Sequence, residues 1–329
     1  MSSGLPHALL LAGPAGVGKS QFASALVQRL LCSETREAAD SACGECPSCR
    51  LFASGNHPDF RHVIPEAEAV EAEGEGGDAG DKKKASSQIL IGQIRALEDF
   101  VYVGGHLSNR RAILIEPAEA MNISAENSLL KILEEPPTGV CFILVSDRWR
   151  KLLPTIRSRC RSVMFGRPAA AEARQWLAEQ GGDKALPLLS MTGGAPIRAL
   201  EEFEKGRMKA FEDVASSLFD HGGDFLELAG RWESYLKKDG GFKMEDIVGM
   251  VQKALFDLTS LATTGRLRFF AGREHQAEAI VKKADTANIL NYYGELLKAR
   301  ALSSHPLNPR LFLDDIAARY LRAIAPGRS

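Results

Sequence analysis

Short apolar runs alternate with helical patterns in the first half of the chain. Ala8–Ala12 reads ALLLA and predicts a buried strand, and residues 113–115 and 142–145 predict two more. Segments 21–31 and 125–133 carry apolar residues at helical spacing. Strand–helix alternation of this kind predicts an α/β domain whose parallel sheet is covered by helices.

The second half has a different pattern, because nothing after Arg167 predicts a strand. Amphipathic helical patterns follow one another there, with a seam expected near Gly206. The predicted helices span 168–181, 184–199 (two short helices around a GGAP turn), 208–221, 224–238, 243–264, 286–302 and 308–325.

Residues 66–87 break both patterns and read EAEAVEAEGEGGDAGDKKKASS. Their low hydrophobicity, clustered charge and glycine predict a mobile acidic surface insertion. A solvated loop and an acidic recognition segment are both open readings of it.

Composition limits the class of protein. The 329 residues allow two or three domains, and 45% apolar with 25% charged residues is typical of a globular protein. With 41 basic and 42 acidic residues, the net charge of −1 provides no global attraction to nucleic acid or membrane. No apolar run is long enough for a signal peptide or a membrane span, so we expect a cytoplasmic protein without membrane contact.

A phosphate-binding loop is predicted between the first strand and the first helix. Residues 13–20, GPAGVGKS, match G-x-x-x-x-G-K-[ST] in the context that this motif requires. Gly13, Gly16 and Gly18 allow backbone N–H groups to close around phosphate oxygens. Lys19 can then reach the outer phosphates of ATP, and the Ser20 hydroxyl can bind Mg²⁺. The alternative is a glycine-rich turn without a ligand.

The strand before Glu116 lacks part of the usual catalytic end. In an active P-loop ATPase, one acid after this strand holds Mg²⁺ and a following glutamate polarises the attacking water. Glu116 can do the first task, but Pro117 has no acid–base chemistry. Glu119 follows two residues later, where we expect the chain to have turned away. The pattern therefore argues against efficient hydrolysis, whether RAILIEP is a degraded site or only a core strand.

Four cysteines predict a metal site. Cys32, Cys43, Cys46 and Cys49 have the spacing C-x₁₀-C-x₂-C-x₂-C, which can surround one tetrahedral Zn²⁺ with four thiolates. Such a site is structural, because no coordination position remains for water or substrate. Free thiols grouped by chance are the alternative. His57 and His62 are further ligand candidates that the site does not need.

Two arginines in LLPTIRSRC, residues 152–160, have two open interpretations. Arg157 and Arg159 follow a predicted strand and turn. They are either partners in surface ion pairs or arginine fingers that reach the γ-phosphate on a neighbouring subunit.

A family resemblance rests on four features together: the phosphate loop, the cysteine insertion, NSLLKILEEPP (127–137) and LLPTIRSRC. With these, nearly the whole chain resembles the bacterial clamp-loader AAA+ subunits of the DNA polymerase III holoenzyme. The resemblance implies an α/β AAA+ P-loop domain over 1–165, with a zinc module at 32–49 and the acidic insertion at 66–87. A helical lid over 166–206 and an all-α collar or oligomerisation domain over 207–329 are implied after it.

Within this family, the residues favour the stator type, delta-prime, over the motor type, tau/gamma. The motor would carry Asp-Glu where Glu116 and Pro117 stand. In GGAPIRAL (193–200) it would place a sensing arginine where Ile197 stands, and Arg198 is one step off. The resemblance further implies that Arg159 is an arginine finger acting in trans on ATP held by the adjacent motor subunit.

The implied role lies in chromosomal replication. Such a subunit contacts delta, the clamp opener, and completes a tau/gamma ATP site during loading of the sliding clamp onto primer-template DNA. The assembly is a hetero-oligomer, pentameric by resemblance, within a DNA-directed DNA polymerase holoenzyme (a nucleotidyltransferase). This chain would have no polymerase site and little or no ATPase activity of its own, and its binding of ATP stays open.

A competent motor ATPase is the alternative. An unrelated nucleotide kinase would leave the cysteines and SRC unexplained.

Overall fold

The structure is a computed structural model that describes residues 5–34, 41–73, 85–102, 107, 109–220, 223–236, 242–302 and 308–326. The chain divides into two compact units, Met1–Arg167 and Pro168–Ser329. Each unit has its own buried core.

A five-stranded parallel sheet forms the centre of the first unit. Its strands lie in the order β2-β3-β4-β1-β5, so neighbours are not consecutive in sequence and the chain must cross over between them. The strands are β1 (Ala8–Ala12), β2 (Phe60–Val63), β3 (Arg111–Ile115), β4 (Val140–Ser146) and β5 (Arg161–Met164).

Helices cover both faces of this sheet, which explains the continuous apolar runs of β1, β3 and β4. Successive strand residues point to opposite faces, so Leu10 packs in one buried cluster with Phe142 while Leu11 packs in the other with Val27. The helices of this unit are α1 (Lys19–Leu31), α2 (Pro47–Ala53), α3 (Glu66–Glu73), α4 (Ile91–Tyr102), α5 (Ile123–Glu134) and α6 (Pro154–Arg159).

The expected fold class is confirmed, an α/β parallel sheet followed by a helical region. The sequence pattern missed the two edge strands, β2 and β5. All four side chains of β5 are exposed, and β2 has one buried residue, so neither strand produces an apolar run. It also assigned no helix to residues 66–73, which form α3, and residues 74–84 of the predicted insertion lie outside the described residues.

The described part of the second unit is helical throughout. Trp232 and Tyr320 are fully buried in its core, and each finds a hydrogen-bond partner there: Trp232 Nε1 donates to Ser217 Oγ (2.9 Å) and the Tyr320 hydroxyl donates to Leu218 O (2.6 Å). The helices are α7 (Ala170–Glu179), α8 (Leu186–Met191), α9 (Pro196–Glu204), α10 (Met208–Phe219), α11 (Phe225–Leu236), α12 (Met244–Thr264), α13 (Glu274–Val281), α14 (Thr286–Leu302) and α15 (Pro309–Ile324).

One apolar core continues across the seam expected near Gly206. Leu188 on one side of it and Val251 on the other belong to the same buried cluster. Lys253 Nζ also donates to Met191 O across 2.6 Å. The division of this unit into a lid and a collar therefore stays a prediction.

None of the helices in the described segments combines the length and the apolar character that a membrane span requires.

Candidate functional site

The phosphate loop joins β1 to α1. Gly16 (φ +72°) and Gly18 (φ +96°) have left-handed backbone conformations that other residues rarely adopt. Gly13 is required for another reason: a Cβ there would overlap Phe165 O and lie 2.9 Å from Phe165 Cβ, just after β5. The sequence therefore places glycine where the loop must turn and where two chain segments meet closely.

Lys19 is held inside the loop by two oxygens. Only 3% of its side chain is exposed, and its Nζ donates to Pro14 O (2.5 Å) and pairs with Asp147 Oδ1 (2.6 Å). Asp147 immediately follows β4, the strand beside β1. The sequence analysis missed Asp147, although an acid after a buried strand is a usable signal, since the carboxyl ends of parallel strands share one edge of the sheet.

Ser20 and Glu116, the two residues predicted to bind Mg²⁺, contact each other. The Ser20 hydroxyl donates to Glu116 Oε1. Burial raises the pKa of Glu116, and the neighbouring Asp147 and Glu119 also raise it, against the lowering effects of the Ser20 hydrogen bond and of Lys19. A hydroxyl and a carboxylate at one position are oxygen ligands of the kind Mg²⁺ takes, so the donor set fits that ion.

The side chain of Glu119 is hydrogen-bonded to the loop after β4. Its Oε1 accepts hydrogen bonds from the backbone N–H groups of Asp147 (3.2 Å) and Arg148 (3.0 Å). Its side chain is only 5% exposed. That Glu119 does not replace the carboxylate missing at Pro117 stays a prediction.

Arg159 lies at the end of α6, where its guanidinium pairs with Glu134 of α5 and donates to Thr155 O (3.2 Å). About a third of the side chain is exposed (33%). Helix α6 itself is anchored to the core by Ile156, which is fully buried. The base of Arg159 is therefore fixed and its tip is accessible.

Arg157 has different surroundings, although the spacing alone left the same two interpretations open for both arginines. Its guanidinium lies 5.3 Å from the ring centre of Trp149, and its buried Nε has no hydrogen-bond partner among the described residues. Both arginines lie within α6. Arg159 differs from Arg157 in pairing with an exposed carboxylate, Glu134, at the surface.

The four cysteines predicted to bind metal come together. Their sulfur atoms all lie within 4.8 Å of one another; Cys32 is 3.6 Å from Cys43 and 3.9 Å from Cys46, and Cys43 is 3.9 Å from Cys49. Zinc–sulfur bonds of about 2.3 Å in a tetrahedron require sulfur separations of about 3.8 Å. The distances are far too long for disulfides, whose sulfurs lie about 2.05 Å apart. The cluster can therefore hold a metal ion such as zinc.

The electrostatics of this cluster favour a thiolate at Cys46, whereas burial and the hydrogen bond with Cys46 raise the pKa of Cys49 to about 12. Burial alone would raise the pKa of Cys46, but hydrogen bonds from Ser33 and from the backbone of Cys49 lower it to about 5. The thiolate is the form that binds metal. Backbone N–H groups also point at the sulfurs, since Cys46 N donates to Cys43 Sγ and Cys49 N to Cys46 Sγ, both across 3.4 Å.

His57 lies outside the cluster and connects it to the core. Its Nδ1 accepts a hydrogen bond from Asp59 N (3.0 Å), so Nε2 carries the proton and donates to Ser48 Oγ (2.8 Å). The Ser48 hydroxyl in turn donates to Leu31 O (2.6 Å) at the end of α1. Burial lowers the pKa of His57 and so keeps the ring neutral, although the charge of Asp59 acts in the opposite direction. His62 stacks on Phe60.

Arg198, next to the expected sensor position at Ile197, makes its ion pairs within the second unit. Its guanidinium lies 3.3 Å from Asp246 and 4.0 Å from Glu202. These carboxylates hold it at the junction of α9 and α12.

Comparison with known proteins identifies the family. A family model described as DNA polymerase III, delta subunit matches residues 2–169, just over half of the chain. The chain is 40% identical over 197 residues to DNA polymerase III subunit delta' of Pseudomonas aeruginosa, covering 59% of this chain and 54% of that protein. It is 33% identical over 220 residues to the Yersinia pestis subunit delta', covering 64% and 59%. It also matches the gamma/tau subunit of Mycobacterium bovis at 32% identity over 199 residues, covering 58% and 31%.

These matches have a limited extent, since they span little more than half the length of the two delta' relatives. The family model lies almost wholly within the first unit, which contains the phosphate loop and the parallel sheet. The chain belongs to the DNA polymerase III delta subunit family and is similar to relatives that carry the name delta'.

Proposed function

We propose that this chain is a stator of the bacterial clamp loader. In that role it contacts delta and provides Arg159 in trans to the ATP site of a neighbouring tau/gamma subunit. The observation that carries the proposal is Pro117, which stands at the carboxyl end of β3 where a hydrolysing site needs a carboxylate.

The residues around Pro117 support a site that does not hydrolyse ATP. Glu119 accepts two backbone N–H groups in the loop after β4, and Asp147 is paired with Lys19. Oε1 of Glu119 and Oδ1 of Asp147 are therefore engaged in contacts within the chain, which compete with orienting a water molecule for attack. If ATP binds, Lys19 would face its outer phosphates and Ser20 with Glu116 would hold Mg²⁺, whose charge stabilises the phosphates.

The geometry of Arg159 supports a role in trans. Arginine fingers need a guanidinium that is positioned by its own subunit but exposed to the next one. Helix α6 is tied to α5 through Glu126, whose Oε2 accepts from Leu153 N (2.7 Å). Glu134 balances the charge of Arg159 at the surface, where a phosphate of higher charge can compete for it.

The cysteine cluster supports a structural role for the metal. With Cys32, Cys43, Cys46 and Cys49 as ligands, zinc would have no open position and would stabilise the segment between α1 and β2. His57 and Ser48 join this segment to α1 by hydrogen bonds.

The proposed partners are delta, tau/gamma, the sliding clamp and primer-template DNA, in a hetero-oligomer. Since the net charge of the chain is −1, DNA contact would come from the assembly and not from a general attraction to this subunit.

The second candidate is a competent motor ATPase of the tau/gamma type. It is favoured by the intact phosphate loop, with Lys19 and Ser20 in place, and by the match to a gamma/tau subunit. Replacement of the catalytic carboxylate by Pro117 argues against it.

ATP hydrolysis by the isolated chain separates the two candidates. We expect the purified chain, alone or with primed DNA, to release phosphate no faster than its Lys19→Ala variant, because no carboxylate activates water. A rate typical of a motor, abolished by Lys19→Ala or dependent on DNA, would refute the stator role. Delta and tau should co-elute with the chain in gel filtration.

A further inference from the structure

The pairing of Lys19 gives the phosphate loop a second property. A lysine that is 97% buried cannot keep its charge without close partners, because a buried unpaired ammonium is costly. Lys19 has two oxygen partners, and one is a full negative charge, Asp147 Oδ1 at 2.6 Å. The loop is thus charge-balanced by the chain itself.

Asp147 is placed by the sheet and not by chance. In the register of β1 and β4, Ala12 lies opposite Ser146, and Gly13 N donates to Ser146 O (3.2 Å). Asp147 therefore begins beside the first residue of the phosphate loop. Its backbone N–H donates to Glu119 Oε1, which fixes the direction in which the carboxylate leaves the strand.

The Asp147 carboxylate is an anion bonded to the amine that would bind a phosphate. In phosphate loops, the lysine amine is the group that reaches the outer phosphates. The Asp147 carboxylate, the charged one of the two acceptors bonded to that amine, therefore competes with a phosphate oxygen for it. We infer that Asp147 is a built-in anion that occupies the terminal-phosphate position at Lys19, so that the loop folds without a nucleotide and a nucleotide must displace Asp147 to bind.

The neighbouring charges make that displacement harder. Glu116 lies close enough to both Asp147 and Glu119 for their charges to interact, and Glu116 already accepts a hydrogen bond from the Ser20 hydroxyl. Arg148 is a further cation on this loop, but it pairs with Glu119 and its side chain is 65% exposed. An arriving phosphate thus meets three carboxylates, while its main attraction, Lys19, is already engaged.

Displacement is nevertheless geometrically open, because the Asp147 side chain is 42% exposed and can turn toward solvent. The inference predicts weak nucleotide binding that strengthens when the charge of Asp147 is removed. It goes beyond the proposed function, since it concerns only this chain's own loop. Failure of the Arg159 role would leave it intact.

Calorimetric titration with Mg²⁺ and a non-hydrolysable ATP analogue tests the inference. We expect Asp147→Asn to bind the analogue at least about tenfold tighter than wild type, a difference of about 1.4 kcal/mol. Asp99→Asn is the matched control, because it removes one exposed carboxylate from α4 in the same unit. In a Lys19→Met background, Asp147→Asn should give no such gain. Binding by Asp147→Asn that is no tighter than wild type would overturn the inference.

Thermal unfolding provides a second measurement that needs no ligand. Lys19→Met and Asp147→Asn should each lower Tm, since each leaves a partner of the pair alone. The double variant should be more stable than the sum of the two losses predicts. Additive losses, or a double variant less stable than either single one, would show that the pair does not balance the loop.

Discussion

Individual charged residues in the first unit have partners that restrict what they can do. Lys19 faces Asp147, Glu116 faces Ser20, and Arg159 faces Glu134. The first two pairs are internal to the phosphate loop region, whereas the third lies at the surface. The groups of the phosphate loop region are therefore engaged with one another, whereas Arg159 pairs at the surface with its side chain partly exposed.

The cysteine cluster makes a prediction at the same scale. Purified protein should contain about one zinc per chain, bound by four thiolates. Cys49→Ser should lose the metal and lower Tm, because a tetrahedral site with three sulfur ligands loses affinity and Cys49 is buried. Metal content by atomic emission and Tm by calorimetry check both effects.

The control for that change is Cys141→Ala, which alters a buried thiol of β4 outside the cluster. It should retain full zinc content. Zinc-free wild-type protein purified under reducing conditions, or a Cys49→Ser variant with undiminished zinc, would contradict the metal site.

Much of the site could be predicted from single residues, but not all of it. The phosphate loop and the C-x₂-C-x₂-C spacing fall within short stretches, so local sequence brings their atoms together. Asp147 and Glu134 were not predicted, because their roles depend on which strands and helices become neighbours. The difference between Arg157 and Arg159 depends in the same way on Trp149.

At the scale of elements, the site depends on how closely β1 and β5 approach each other. Phe165, just after β5, donates its backbone N–H to Ala12 O (2.7 Å), and its carbonyl lies against Gly13. Gly13→Ala should therefore destabilise the protein by about 2 kcal/mol through overpacking. Urea denaturation followed by circular dichroism measures the free energy of unfolding.

Gly92→Ala is the matched control, because Gly92 lies near the start of α4 with open space around it. It should leave the free energy of unfolding unchanged or raise it by a few tenths of a kcal/mol, roughly as helix propensities indicate. Equal effects of the two changes would mean that the close approach at Gly13 does not matter.

The pattern of apolar residues predicted some strands and helices correctly and missed others. Central strands such as β1 are buried on both faces, so the apolar run ALLLA predicted the position of β1 correctly. Edge strands lack that signal: β5 has four exposed side chains and pairs only with β1. Helix α3 was not predicted, because its residues, EAEAVEAE, show little amphipathic pattern.

At the scale of the whole molecule, the sequence predicted an α/β part followed by helices, and the two units have these characters. The expected seam near Gly206 stays a prediction, and the buried core of the second unit extends from α7 to α15. Long-range packing of this kind cannot be read from the spacing of apolar residues alone, because it depends on which helices meet.

The central claim is that this subunit does not hydrolyse ATP but completes the site of a neighbour through Arg159. It is tested most directly by the ATPase rate of a loader reconstituted from this chain, delta and tau with the clamp and primed DNA. Arg161→Ala is the control, since it removes an exposed arginine from β5 two residues away.

With Arg159→Ala, the neighbouring ATP site should lose on the order of a thousandfold in rate, the typical contribution of an arginine finger. The total ATPase rate should fall by that site's share, with assembly and Tm unchanged. A loader with Arg159→Ala that hydrolyses ATP as fast as one with Arg161→Ala would contradict the account.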